Sequence, residues 1–213
     1  MVPEGEAFEA LAEQWLSYAS DPGCTYDSEV HIDAATIRPM ITYGTHPGHA
    51  MPVDAPVPHA ADESDAKALG YMNVVPGQPM LGTHVDRVFI GSCTNSRIDD
   101  IRAAAAVFRG RQVREGLRAI VVPGSEAVKA EAEAEGLHQI ILAAGAEWRE
   151  PGCSMCIAMN GDRAEPGELV VSTSNRNFAG RQGPGARTVL ASPATAAAAA
   201  VTGVISDVRE LKA

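Results

Sequence analysis

Residues 85–109 read VDRVFIGSCTNSRIDDIRAAAAVFR. The initial apolar run predicts a buried strand, and the apolar side chains that follow at three- to four-residue intervals predict a helix over 97–109. Cys93 therefore falls in a strand-to-helix turn. Ser96 and Asp99 have the spacing of a helix-capping pair. The free N–H groups at the start of this helix would stabilise a nearby thiolate or an anionic ligand.

Helices and apolar strands alternate through the rest of the chain. Ser192 is the expected N-cap of a C-terminal helix that begins at Pro193 and stops before Gly203. This alternation predicts an α/β fold, a largely parallel sheet covered by helices. The predicted strands are 85–90, 117–122, 168–172 and 187–191, and the predicted helices are 62–72, 97–109, 125–135, 137–144 and 193–202.

The first 60 residues have a different pattern. Helical spacing predicts an amphipathic helix over 5–19, and residues 29–33 and 38–43 have the pattern of short strands. A loop with four prolines follows at 44–58. We expect residues 1–60 to form a lead-in that packs on a main domain over 61–213.

Composition limits the classes of function. The 213-residue chain has a net charge of -10, which argues against nucleic acid or an anionic membrane as its partner. Its apolar runs are too short to span a bilayer, and its first residues lack the pattern of a signal peptide, so we expect a cytoplasmic protein. Four cysteines in such a chain suggest metal or redox chemistry.

A second cysteine motif, PGCSMC, occupies residues 151–156. A C-x-x-C pair serves zinc, iron–sulfur clusters and thioredoxin-like redox centres. The redox case expects a helix after the motif, whereas Asn160-Gly161 is a turn signal. A structural zinc site would need a fourth ligand from Cys24 or a histidine. Three thiolates, with Cys93 as the third, suit a cubane cluster that has one open iron.

Two other features have simpler readings. Cys24 lies in a turn before the core elements begin, which favours a free structural or surface cysteine. His46 and His49 form an H-x-x-H pair in the proline-rich loop, and such a pair is more often polar surface than a metal site.

A glycine-rich loop at the end of a strand, STSNRNFAGRQG, occupies residues 172–183. Arg176 and Arg181 stand five apart in it. A guanidinium matches the two oxygens of a carboxylate, so the pair predicts a clamp for an acidic ligand. The alternative is a solvated basic loop.

Four segments together, GSCTNSR (91–97), EPGCSMC (150–156), STSNRNFAGRQG (172–183) and ASPATAAAAAVTG (191–203), resemble the large subunits of the 3-isopropylmalate dehydratases. These proteins are hydro-lyases of the aconitase family. The weaker segments WLSYASD and ITYGTHPG extend the resemblance over nearly the whole chain. The match is to the C-terminal part of that subunit, which implies a fold of the aconitase third-domain type.

The resemblance implies roles for particular residues. Cys93, Cys153 and Cys156 would hold a [4Fe–4S] cluster whose fourth iron is open to substrate. By motif position, Arg176 and Arg181 would bind the substrate carboxylates. Asn175, together with Asn95, would donate hydrogen bonds to the cluster sulfurs.

The resemblance also implies partners and rivals. The family's other acidic and histidine residues lie upstream of this segment, and its serine base lies on a small subunit. This chain alone is therefore not expected to turn over a hydroxy-diacid in leucine biosynthesis. The alternatives are a sister hydro-lyase of citramalate, dimethylmalate or homoaconitate, and a non-catalytic metal-binding remnant. RNA binding by a cluster-free aconitase relative would need a basic face, which the charge disfavours.

Overall fold

The computed structural model describes residues 4–159 and 161–211. They divide into two units, one that ends at Ile37 and one that begins at Arg38. The predicted boundary after residue 60 stays a prediction. Asn160, half of the predicted turn signal, lies outside the described residues. No helix in the described part of the chain is long and apolar enough to cross a membrane.

The first unit contains one α-helix, α1 (Glu6–Leu16), and a 3₁₀ turn, Ala34–Thr36. The helix confirms the periodicity argument, although it stops three residues before the predicted end. The strand predicted at 29–33 is wrong. Val30 and Ile32 are 78% and 71% exposed, and the described residues of this unit provide no strand with which they could pair.

A five-stranded sheet organises the second unit. Its strands are β3 (Arg87–Ile90), β4 (Arg118–Val121), β5 (Glu147–Trp148), β6 (Leu169–Ser172) and β7 (Arg187–Leu190). Neighbouring strands all pair in parallel, and their order is β5-β4-β3-β6-β7. The α/β prediction is confirmed, and the short β5 is the strand of this sheet that periodicity missed.

The helices of this unit lie close to their predicted positions. They are α2 (Glu63–Met72), α3 (Ile98–Phe108), α4 (Glu126–Ala134), α5 (Leu137–Ala143) and α6 (Pro193–Thr202). Ser192 caps α6 by accepting from the Thr195 N–H, and Gly203 ends it in the left-handed conformation, as predicted. The predicted cap of α3 is wrong, because Asp100 accepts from the Arg97 N–H instead.

The strand predicted at 38–43 is confirmed as β1 (Met40–Thr42). It pairs antiparallel with β2 (Ala50–Pro52), which lies in the predicted proline-rich loop. Proline cannot donate to a sheet, which is why the pattern argued against a strand here. Pro52 is the last residue of β2, a position that tolerates the missing donor.

Alternate residues of the central strands face two different apolar layers. Val88, Val121 and Val171 face the layer that includes the buried side chains of α3, α5 and α6. Phe89, Ile120 and Val170 face a smaller layer that contains Met155 and Cys156. Helices therefore cover one face of the sheet, as predicted. The other face packs against the segment after β5, and that segment carries two of the cysteines.

The order of the strands defines where a ligand would bind. The chain runs outward from β3 through β4 to β5 and then returns to place β6 on the other side of β3. In such open sheets, ligands bind beyond the carboxyl ends of the strands where the direction reverses. That point lies between β3 and β6, directly before Cys93 and Asn175.

Candidate functional site

A cavity of about 360 Å³ lies at this reversal point. Residues following the carboxyl ends of β3, β4 and β6 contribute to its wall, and the segment after β5 closes it. All three cysteines expected as ligands face it, and so do two of the four polar residues expected around them. The lining residues are Ser92, Cys93, Pro123, Gly124, Gly152, Cys153, Cys156, Ile157, Asn175 and Arg181.

The turn that carries Cys93 is held by the neighbouring strand. The hydroxyl of Thr173 accepts from the Gly91 N–H and donates to the Gly91 carbonyl, both at 2.8 Å. Ser92 has a positive φ of 84°, an uncommon conformation for a residue with a side chain. Cys93 itself is exposed. The backbone is thus clamped directly before a thiol that remains open to the cavity.

The second cysteine pair lies on a 3₁₀ turn, Ser154–Ile157. The Cys156 N–H donates to the Cys153 carbonyl at 2.9 Å, which closes the turn. Met155 points away into the smaller apolar layer, while Cys153 is exposed and Cys156 is buried. The two thiols therefore reach the same cavity from different depths.

A polar network, buried at Ser154 and Asp162 and half-buried at its other members, supports this turn from behind. The Ser154 hydroxyl donates to Asp162 at 2.8 Å, and Arg118 and Arg149 donate to the other oxygen of Asp162 at 3.3 and 3.2 Å. Arg118 also makes a two-point contact with Glu147 at 2.6 and 3.2 Å. Hydrogen bonding from Arg118 holds the pKa of the Glu147 carboxyl below its ordinary value.

Arg181 contacts the turn as well as the cavity. Its Nε donates to the Cys156 carbonyl at 2.6 Å, and one terminal nitrogen lies 3.5 Å from the Cys156 sulfur. The Phe178 ring lies 5.3 Å from the guanidinium carbon. The neighbouring Gln182 is fully buried and donates to the Met155 carbonyl. This loop thus fixes two carbonyls of the cysteine turn and directs a cation toward it.

The other predicted polar residues occupy different surroundings. Arg176 is exposed, donates to the Asn175 carbonyl at 2.8 Å and lies outside the cavity wall that the described residues form. Asn95 donates to the Thr173 carbonyl at 2.7 Å. It lines an adjoining cavity of about 320 Å³, which shares Asn175 with the first. Asn175 is thus the polar residue common to both.

Cys24 and the histidine pair belong to other segments of the chain. Cys24 is exposed in the first unit. His49 is buried, contacts Asp65 at 2.9 Å and stacks on Tyr43, while Nδ1 of His46 accepts from the Gly48 N–H. Among residues 4–159 and 161–211, no three His, Cys, Asp or Glu side chains are placed to hold a metal ion.

A single metal ion and an iron–sulfur cluster require different arrangements of their ligands. Ligands of a single ion must surround one point, whereas each thiolate of a cubane cluster binds a different iron, so the sulfurs are spread around the cluster. The cavity wall brings together three thiols, and the negative charge of the described chain is locally offset by Arg181. The donor set fits a three-thiolate cluster better than it fits a zinc ion.

Sequence reasoning missed the residues that brace the site. Asp162 and Gln182 contact the cysteine turn, and Thr173 holds the Cys93 turn. Gly124, a residue of the cavity wall, does have a signal in the sequence, because it is a small residue that follows an apolar strand. A Cβ at this position would lie 2.8 Å from the Ser96 carbonyl oxygen, so the glycine allows a close approach of the two segments.

Comparison with known proteins gives a consistent answer. The chain is 57% identical to a 3-isopropylmalate dehydratase large subunit of Anaeromyxobacter dehalogenans, over 98% of this chain and 45% of that protein. It is 54% identical to the protein of the same name from Roseiflexus castenholzii, over 98% of this chain and 46% of that protein. It is 56% identical to the protein of that name from Solibacter usitatus, over 98% of this chain and 46% of that protein. The chain thus spans about half the length of these curated relatives.

A family model described as the aconitase family (aconitate hydratase) matches residues 1–203. That range contains all three cysteines of the cavity and both arginines of the glycine-rich loop. The chain therefore belongs to the aconitase family.

Proposed function

We propose that Cys93, Cys153 and Cys156 hold a [4Fe–4S] cluster in the cavity at the strand reversal point. The observation that carries the proposal is that all three thiols line this one cavity. When bound, such a cluster supplies an open iron that acts as a Lewis acid toward a hydroxyl and a carboxylate. In this proposal Asn175, which lines the same wall, donates a hydrogen bond to a cluster sulfur.

Arg181 binds a carboxylate of the substrate in this proposal. Arg181 lines the cavity wall. Its Nε donates to the Cys156 carbonyl and one terminal nitrogen contacts the Cys156 sulfur, so the other terminal nitrogen meets the anion. Arg176 is exposed on the same loop and serves a second carboxylate. In a chain with a net charge of -10, two cations on one loop provide a local preference for a diacid.

The proposed reaction is the interconversion of 2-isopropylmalate and 3-isopropylmalate by dehydration and rehydration, a step of leucine biosynthesis. The names of the relatives support this substrate. The chain covers under half of those proteins. In this proposal, activity therefore also requires the rest of a large subunit, and the resemblance further implies a small subunit. A hydro-lyase of citramalate, dimethylmalate or homoaconitate would use the same thiols and arginines.

Anaerobic reconstitution tests the cluster assignment. The full chain is treated with iron and sulfide, and iron, acid-labile sulfide and visible absorbance are measured together. We expect about four irons and four sulfides per chain. Replacing Cys93, Cys153 or Cys156 by serine should abolish the absorbance. Cys24→Ser is the matched control and should leave it unchanged.

Two outcomes would contradict the proposal. Stoichiometric zinc bound in place of iron and sulfide would indicate a structural metal domain. A normal cluster spectrum in Cys153→Ser would show that the ligand assignment is wrong. Substrate identity is decided separately, by adding isopropylmalate, citramalate or homoaconitate to the reconstituted assembly and measuring the formation of the alkene diacid.

A further inference from the structure

We propose that Asp162 is a positioning residue that holds the Cys153–Cys156 turn in the shape required of a ligand-bearing loop. The inference rests on the proposed function for what the turn binds. The geometric role itself rests on contacts that need no metal.

Ser154 is the residue that requires support. It has a positive φ of 44°, in the left-handed region that residues with a Cβ adopt at a cost. Its hydroxyl donates to Asp162 Oδ2 at 2.8 Å. The two residues are only 5% and 7% exposed, so water competes little for this hydrogen bond. The carboxylate is therefore well placed to offset the strain at Ser154.

Asp162 is itself fixed from the opposite side. Arg118 and Arg149 donate to its Oδ1, and both arginines also bind Glu147. The two cations and two carboxylates balance in charge, which allows a carboxylate to be buried here. Since Arg118 begins β4 and Glu147 begins β5, the network connects the turn to the sheet.

The three anchors of the turn act at different places. Gln182 and Arg181 hold the carbonyls of Met155 and Cys156, at the end of the turn. Asp162 holds Ser154, directly after Cys153. If this contact is lost, the backbone at Ser154 can relax to a right-handed conformation while the other end stays fixed. The expected result is a shift of Cys153 relative to Cys156 and an opening of the buried thiol.

Thiol labelling of the metal-free full chain tests this directly. In Asp162→Ala, we expect iodoacetamide to modify Cys156 about tenfold faster relative to Cys93, since the loss of one charge-assisted hydrogen bond changes an opening equilibrium by about that factor. Asp207→Ala is the matched control. Asp207 is equally buried and paired with an arginine, but it caps the 3₁₀ turn Val208–Glu210. It should leave the labelling ratio unchanged.

Two further variants distinguish positioning from general destabilisation. Glycine adopts the left-handed region without strain, so Ser154→Gly added to Asp162→Ala should restore slow labelling of Cys156. Asp162→Asn keeps the volume and an acceptor oxygen but loses the charge, and it should show a smaller increase in the same direction. It also provides the test if Asp162→Ala does not fold.

An unchanged labelling ratio in both Asp162 variants would overturn the proposal, and so would equal acceleration at Cys93 and Cys156. The outcome is independent of the cluster. If the wild-type chain fails to bind iron and sulfide but the ratio changes as expected, the proposed function fails and the role of Asp162 stands. If the cluster forms, the proposal also predicts about tenfold faster iron loss from Asp162→Ala.

Discussion

The hydroxyl of Thr173 makes two hydrogen bonds with the backbone of Gly91, each at 2.8 Å: it accepts from the Gly91 N–H and donates to the Gly91 carbonyl. Thr173 follows β6 and Gly91 follows β3, so this pair joins the two strands at the point where the strand order reverses. Both residues are buried. A side chain that directly follows the neighbouring strand therefore holds the backbone before Cys93.

Thr173→Val should lower the free energy of unfolding by about 2 kcal/mol, because it leaves two buried backbone groups of Gly91 without partners. Urea titration of the full chain measures this. Thr173→Ser retains the hydroxyl and is the control, with a smaller loss. A valine variant as stable as wild type would mean that water replaces the hydroxyl.

Arg181→Lys should leave cluster assembly intact and weaken diacid binding about tenfold or more, because an ammonium cannot present the planar fork that contacts a carboxylate. The measurement is the concentration of 3-isopropylmalate that half-saturates the change in the electron paramagnetic resonance spectrum of the reduced cluster. Arg187→Lys is the control, since Arg187 binds the carbonyls of Met72 and Gly167. Equal effects in the two variants would contradict the carboxylate role.

Gly183→Ala should destabilise the fold by about 3 kcal/mol. Gly183 has a φ of 146°, and a Cβ there would lie 2.1 Å from the Ala164 carbonyl oxygen. Gly152→Ala is the control within the site, because its Cβ would meet no atom of the described residues within 4 Å. Thermal unfolding compares the two, and similar midpoints would show that the arginine loop can move away from Ala164.

Acid should remove the stabilisation that Glu147 provides. Arg118 holds the folded-state pKa of Glu147 below its ordinary value of 4.5, so this contribution is present above that value and is lost as the pH falls through the lower, folded pKa. The difference in unfolding free energy between wild type and Glu147→Gln should be constant near about pH 6 and should shrink progressively below about 4.5. A difference that grows in acid would show that the sign of the shift is wrong.

The strand-to-helix turn at Cys93 could be predicted because its determinants are local. An apolar run, small turn residues and a helical repeat lie next to one another in the chain. The predicted cap of α3 was wrong although it was local, because the Ser96 hydroxyl donates to the carbonyl of Val122, the residue directly after β4. A contact with a distant part of the chain displaced the expected one.

The support of the second cysteine turn could not be predicted for a related reason. Asp162 stands eight residues from Ser154, and the described residues between the 3₁₀ turn Ser154–Ile157 and Asp162 form neither an α-helix nor a strand, so no regular period relates the two. Its partners Arg118 and Arg149 are near each other only because β4 and β5 pair. Likewise, the strand predicted at 29–33 had the alternating pattern but lacks a described partner in its unit. Patterns specify which face is apolar, whereas pairing depends on the rest of the fold.

The spacing between Cys153 and Cys156 also determines where the Met155 side chain packs. This side chain has no exposed surface and fills the smaller layer against Phe89 and Ile120, while the thiols on either side reach the cavity. One residue inserted or deleted between the cysteines would turn Met155 out of this layer. A descendant that had lost its metal would still be selected to keep the same length here. The spacing of these cysteines is therefore set by packing as well as by coordination. A count of metal sites from cysteine spacing alone would include chains that no longer bind a metal.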